Sequence, residues 1–267
     1  MPMKKILAVS IAALAFALGA QAQTNLQVFY DLGKDRKHVT TTMEGFYNDK
    51  WGNTFFFIDH DYNSKTDKDH SYAPSGTYWE IARCLNFWQD TKLAPLSLHA
   101  EYNGGVYNGY TINNAWLFGL DYFIHNSDFR NTLNLKVLYK YIDYSNAGRN
   151  LDGSKKKSNV PMQFTVVWGM QDLFGLKGLR FSGFADFWWE DHTVAKVLSD
   201  RDKGYRDWSD SKDATVVFLS EPQLWYNVGR LFGVDNFNVG TEIELSYDFG
   251  SGKGFWVRPC LGAKWVF

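Results

Sequence analysis

Apolar residues return at every second position through most of this chain, and that period limits what it can fold into. A repeat of two sends alternate side chains to opposite faces of a β-strand. In 178–190 one face carries Leu179, Phe181, Gly183, Ala185, Phe187 and Trp189, while the other carries Arg180, Ser182, Phe184, Asp186, Trp188 and Glu190. The same partition recurs in 113–124, 131–143 and 238–249. In the last of these, Val239, Thr241, Ile243, Leu245, Tyr247 and Phe249 oppose Glu242, Glu244, Ser246 and Asp248. Twelve segments read as strands: 25–33, 39–49, 51–62, 76–87, 95–105, 113–124, 131–143, 160–170, 178–190, 214–227, 238–249 and 254–267. Most run roughly ten to thirteen residues, longer than the usual soluble strand and long enough to cross a bilayer at a tilt. After residue 22 there are no strong helix signals.

Alternation of this kind serves two architectures. In a soluble sandwich the apolar face is the core; in an outer-membrane barrel it meets lipid, and the polar face lines the lumen. Aromatics make up 18% of the residues. Tyr122, Tyr139, Tyr141, Trp168, Trp189, Tyr226, Tyr247 and Trp265 fall toward strand ends on the apolar face, where interfacial girdles of a barrel lie. The connections also separate the two readings. Counted from the first strand, the odd connections 63–75, 144–159 and 191–213 are long and charged, with 34–38, 106–112 and 250–253 on the same side, while the even ones are short. Long loops on one side and short turns on the other is the outer-membrane pattern. The start agrees: Lys4 and Lys5, an apolar run from Ile6 to Leu18, and Ala20-Gln21-Ala22 form a secretory signal peptide over 1–22. The chain ends on "GAKWVF", an alternating strand closed by Phe267, the form that outer-membrane insertion machinery reads.

The expected fold is therefore all-β: a single closed antiparallel up-and-down transmembrane β-barrel of about twelve strands over 23–267, in the bacterial outer membrane and in contact with its lipid. A net charge of −1 without a basic block argues against nucleic acid as a partner.

The segments "TTMEGFYNDKWGNTFFFIDHDY", "YWEIARCLNF", "RFSGFADFWWED" and the ending "GAKWVF" resemble the nucleoside-specific channel-forming proteins of the outer membrane, the Tsx-like family. They resemble still more a Bacteroidetes branch of unknown function within that superfamily. The resemblance implies a narrow, monomeric twelve-stranded barrel and passive uptake of nucleosides.

With lipid on the apolar side, the lumen receives the other set of side chains. Its acidic members are Asp31, Glu44, Asp59, Glu80, Glu101, Asp121, Asp186, Glu190, Glu221, Glu242 and Glu244, and its basic members are Lys136, Lys140, Arg180, Arg258 and Lys264. They form either a polar pathway or an ion-paired filling that holds a narrow barrel's shape. Lumen-side rings at Phe29, Phe46, Phe55, Phe57, Phe123, Phe184, Trp188, Trp225 and Trp256 either fill the interior or offer faces for stacking bases and sugars, worth about 1–3 kcal/mol per base. The residues expected to meet solute are Phe29, Glu44, Phe55, Phe57, Asp59, Glu80, Asp121, Lys136, Arg180, Phe184, Asp186, Trp188, Glu190, Trp225, Glu242, Glu244 and Arg258. A plugged structural or surface-binding barrel is the alternative, and a lipid-modifying enzyme the third reading. Ser97, His99 and Glu101 share a face, but a strand step of roughly 7 Å separates alternate residues, too far for a Ser97–His99 bond, so no catalytic set is expected. Asp59, His60, Asp61 and His70 hint at a metal near an outer loop, yet His60 points away from its neighbours, so neither metal nor cofactor is expected. Cys84 and Cys260 read as buried free thiols on non-neighbouring strands.

Overall fold

The computed structural model describes residues 22–63, 72–107, 110–198 and 206–267. Residues 1–21 of the expected leader over 1–22 and the middle of the loop 63–75, with His70, lie outside the described residues. Thirteen antiparallel strands close one sheet: β1 (Ala22–Asp31), β2 (Val39–Asp49), β3 (Gly52–Tyr62), β4 (Pro74–Leu85), β5 (Leu96–Tyr107), β6 (Tyr110–His125), β7 (Asn131–Ile142), β8 (Met162–Gln171), β9 (Leu179–Val197), β10 (Arg206–Ser220), β11 (Gln223–Tyr226), β12 (Phe237–Tyr247) and β13 (Phe255–Val266). From β1 to β10 each pairs with its neighbour in sequence, as do β11 with β12 and β12 with β13, and β13 returns to β1, with Leu26 opposite Trp265 and Tyr30 opposite Leu261. Among the described residues the ring of staves has no open seam.

The barrel has twelve staves, because β10 and β11 are two pieces of one. Both pair with β9 on one side and β12 on the other. The break falls at Glu221-Pro222, where proline has no N–H to give to the ladder. The Pro222 carbonyl still accepts from Ile243 N at 3.0 Å, and Glu221 N donates to the Phe184 carbonyl at 3.1 Å. Opposite the break is Gly183, where a Cβ would come within 2.5 Å of the Glu221 carbonyl oxygen. Only glycine lets the two backbones approach that closely.

Alternation fixes the faces throughout. Leu26, Val28 and Tyr30 point outward and are exposed, while Asn25, Gln27, Phe29 and Asp31 point inward and are buried. The outer surface is an apolar belt, with Met43, Ile81, Phe118, Leu120, Leu135, Val137, Phe164, Val257 and Leu261 exposed on it. Aromatics flank the belt at both ends: Tyr122, Tyr226 and Trp265 toward the rim bearing the termini, and Tyr30, Tyr141, Tyr247 and Phe255 toward the opposite, far rim.

The expected strands recur with small shifts at their ends, but two expected loops are strand. Most of 106–112 continues β5 and β6. Most of 191–213 is a hairpin in which β9 and β10 extend well beyond the neighbouring staves. Two register shifts, between Asp207 and Ser211 and between Ala214 and Val216, break its alternation and hide it behind a charge-rich composition. The extension is held by its neighbours. Ala195 N donates to the Ser251 carbonyl and accepts from Lys253 N through its own carbonyl, both at 2.9 Å. Lys212 pairs with Asp248 at 2.7 Å, and Lys156 donates to Thr193 at 2.8 Å from the loop after β7. These elements roof part of the far rim.

Candidate functional site

Every candidate solute-contacting residue occupies an inward register position, because cross-strand partners share a face. Glu44 pairs with Phe57 and Asn25, Phe57 with Glu80, Asp121 with Lys136, and Asp186 with Thr165. The interior they line divides into three parts.

The first is an apolar plug. Ala115, Leu117, Leu138, Ile142, Trp188 and Val217 pack together inside the barrel toward the far rim, joined by Tyr144, Leu219 and Phe249. Leu117 and Leu138 are 0% exposed. Lys140 Nζ sits 4.0 Å from the centre of the Trp188 ring and donates to Gln163 at 2.7 Å, so its ammonium group has a ring face and a hydrogen-bond acceptor as partners. Trp188 Nε1 donates to Glu190 at 2.9 Å. A second, smaller cluster joins Phe29, Trp225 and Cys260, with the Phe29 and Trp225 rings 5.6 Å apart and Lys264 Nζ 4.1 Å from the Trp225 ring. Gly240 and Gly262 give the rings room: a Cβ on Gly262 would stand 2.7 Å from Phe29 and 3.0 Å from Trp225. Phe29, Trp188 and Trp225 therefore have their ring faces covered.

The second part is an ion-pair lattice at the far rim. The connection 32–38, read from sequence as an outer loop over 34–38, turns into the barrel's mouth and buries Asp35. Arg258 holds both Asp35 oxygens, at 3.1 and 3.0 Å, and reaches Glu244 at 2.5 Å and Ser246 at 3.1 Å. Arg36 spans Glu244 at 2.6 Å and Asp31 at 3.3 Å. Burial acts to raise the Asp35 carboxyl, but its hydrogen bonds to Arg258 and the charges of Arg258 and Arg36 hold it below the ordinary aspartate value. The anchoring role of Asp35 and Arg36 is absent from the sequence reading, since it joins residues more than two hundred positions apart.

The third part is accessible. Phe55, Phe57, Asp59, Tyr78, Glu80, Lys136, Phe184, Asp186, Glu221 and Glu242 face inward and are only half-buried. Asp59 accepts from Thr42, Glu80 from Tyr78 at 2.6 Å, Asp186 from Thr165, Glu242 from Gln223 and Glu44 from Asn25 at 2.9 Å. Staves that are not neighbours come within electrostatic reach of one another: Glu80 on β4 with Asp186 on β9 and Lys140 on β7, and Glu221 with Asp59 on β3. Phe57 lies between Phe55 and Tyr78, with ring centroids 6.1 and 5.9 Å away. Arg180 is exposed near the terminal rim, opposite Trp225.

Among the cysteines, Cys84 and Cys260 are both buried and free. His60 points outward, whereas Asp59 and Asp61 point inward. His99 does engage a residue two positions away: Nε2 lies 2.8 Å from Glu101 Oε2, so leaning side chains bridge a strand step that the backbone rise alone does not.

The family described as a domain of unknown function (DUF5020) matches residues 22–267. No curated protein matches the sequence. Among solved structures, the NanC porin is similar over 91% of this chain and 98% of its own, at 8% identity and a TM-score of 0.53. OprD from Pseudomonas aeruginosa aligns over 93% of this chain and 94% of its own at 11% identity and a TM-score of 0.37. Omp33 from Acinetobacter baumannii aligns over 94% and 99% at 11% identity and a TM-score of 0.39. The NanC match supports the closed antiparallel barrel as a porin-like fold.

Proposed function

This chain belongs to the DUF5020 family, and we propose that it is an outer-membrane barrel through which small hydrophilic solutes diffuse passively. The observation that carries this reading is the accessible sector. A purely structural interior has no reason to leave Phe55, Phe57, Glu80, Asp186 and Glu242 partly uncovered, because a partly bare ring inside a barrel gains nothing unless something stacks on it. The apolar belt flanked by aromatics suits lipid on the outside. A signal peptide over 1–22, insertion through the strand ending at Phe267 and a single-copy barrel complete the proposal.

The excess of inward carboxylates favours neutral or cationic solutes over anions. Half-buried rings at Phe55, Phe57 and Phe184 beside hydroxyl-binding carboxylates suit an uncharged solute with a flat base and a sugar. Nucleosides are therefore the leading class. Stacking at about 1–3 kcal/mol per base is weak enough to permit release. Liposome swelling tests this. Vesicles carrying the barrel should admit uridine and adenosine faster than uridine monophosphate, and Phe57→Ala should lessen the preference. Equal rates for all three would remove the nucleoside assignment.

A second reading has its own support. The sealed cluster of Leu117, Leu138, Trp188 and Val217, together with the loop locked by Arg258, suits a plugged barrel whose outer hairpins meet a partner. Absence of swelling with every solute would favour it.

A further inference from the structure

Near the terminal rim, three inward side chains from adjacent staves meet in one buried cluster, and Asp121, expected to meet solute, is sealed within it. Cys84 on β4 pairs directly with His99 on β5, and Asp121 follows on β6 one inward step from Gly119, the partner of His99. Cys84 Sγ lies 3.4 Å from His99 Nδ1 and donates to Asp121 Oδ2, also at 3.4 Å. One ligand atom from each residue falls within 4.8 Å of the others, and all three residues are buried. From the geometry we infer that Cys84, His99 and Asp121 form a zinc site.

The spacing fits the ion. Zinc bonds of about 2.3 Å to sulfur and 2.0–2.1 Å to nitrogen or oxygen, at tetrahedral angles, put sulfur about 3.5 Å from either partner. Those are nearly the separations already present. The orientation fits as well. A carboxylate can only accept, so in a neutral imidazole the His99 Nε2–H donates to Glu101 Oε2 at 2.8 Å, which leaves the Nδ1 lone pair facing the cluster. Asp121 Oδ1 accepts from Asn134 at 2.8 Å, which leaves Oδ2 for the ion. Two of the three donors are thus held by outer partners in the way metal ligands usually are.

Charge closes the case. On binding, the Cys84 thiol releases its proton to solvent and the thiolate sulfur bonds the ion. Thiolate and Asp121 carboxylate then neutralise the two positive charges, and Lys136, within reach of Glu101 and Asp121, balances the remaining Glu101 carboxylate. Thiolate and imidazole select zinc over magnesium or calcium. Three protein donors leave the fourth position to water, and the site joins three staves across their inner face.

The test uses the full mature chain, without a histidine tag, refolded in detergent and stripped with a chelator. Cobalt(II) should bind once per barrel with a thiolate-to-metal charge-transfer band, and zinc should displace it. Cys84→Ser and His99→Gln should lose the band while the barrel still migrates as folded on an unheated gel, and Cys260→Ser should keep it. Glu101→Gln should keep the band but weaken affinity about 10–100-fold. A folded wild-type barrel without the band, or a band surviving Cys84→Ser, overturns the site. Should the variants misfold, X-ray absorption at the zinc edge of the wild type decides: one sulfur with nitrogen and oxygen neighbours supports the site, and a shell lacking sulfur overturns it.

Discussion

On β7, Leu138 is sealed from solvent, while Lys136, the inward residue before it, is half-buried; on β9, Trp188 is sealed and Asp186, one inward step away, is half-buried. Neighbouring positions on the same staves, facing the same interior, thus end in opposite environments. Alternation decides which face a side chain joins, but what it meets there is set by the opposite wall. Leu138 and Trp188 meet Leu117 and Val217, whereas Asp186 lies within reach of Lys140, Lys136 and Glu101. One sector of the lumen behaves as a core, and the other as a surface turned inward.

The difference can be broken most forcefully in the sealed sector. Leu138→Ala should destabilise the barrel by about 2–5 kcal/mol, the range for large-to-small changes in a packed core, read from urea unfolding in micelles. A loss within a few tenths would mean that the sector is not packed. Gly262→Ala places a methyl group against Phe29 and Trp225 and should cost about 1–3 kcal/mol by overpacking; Gly262→Ala with Phe29→Leu should recover part of that. In the open sector, Glu80→Gln should leave stability within about 1 kcal/mol, since it removes one member of a crowded carboxylate group rather than a core contact. Its effect should appear in ion selectivity instead, as a reversal potential shifted toward anions in a salt gradient. A stability loss like that of Leu138→Ala would erase the distinction between sectors.

The smallest effect concerns acid. Asp35 is held below its ordinary value, so its contribution to holding the loop 32–38 is complete above the unfolded aspartate value of about 3.9 and is lost as pH falls through the lowered folded value. Protease cleavage within 32–38 should therefore stay slow at neutral pH and rise only under strongly acidic conditions. Asp35→Asn should bring that sensitivity to neutral pH. Cleavage unaffected by the substitution would show that the loop is held by Arg36 alone.

The staves and their faces were legible because one period runs through them: Leu179 to Trp189 within "GLRFSGFADFWWE" lie on the faces their positions assign. The β9–β10 extension was hidden because two bulges reset the period inside a charged stretch. The inward turn of 32–38 was hidden for a different reason. Its lysines, arginine and aspartate look like a solvated loop, and the partners that bury Asp35 and Arg36 stand on β12 and β13, at the far end of the chain. The Cys84–His99–Asp121 cluster needs the register of three staves, and a one-residue slip would scatter it. The His99–Glu101 contact was hidden because backbone rise alone separates the two residues, and only leaning side chains bring them together. How much of the lumen is filled could not be read along single strands, since filling is a property of opposing walls.

Passive diffusion requires that the partly open sector run from rim to rim. The most direct test is current through a planar bilayer holding the purified, folded barrel. The account predicts discrete conductance steps, with a reversal potential in a potassium chloride gradient that marks preference for the cation. Barrels that insert, stay folded and pass no current would contradict it, and would make the sealed sector the whole of the interior.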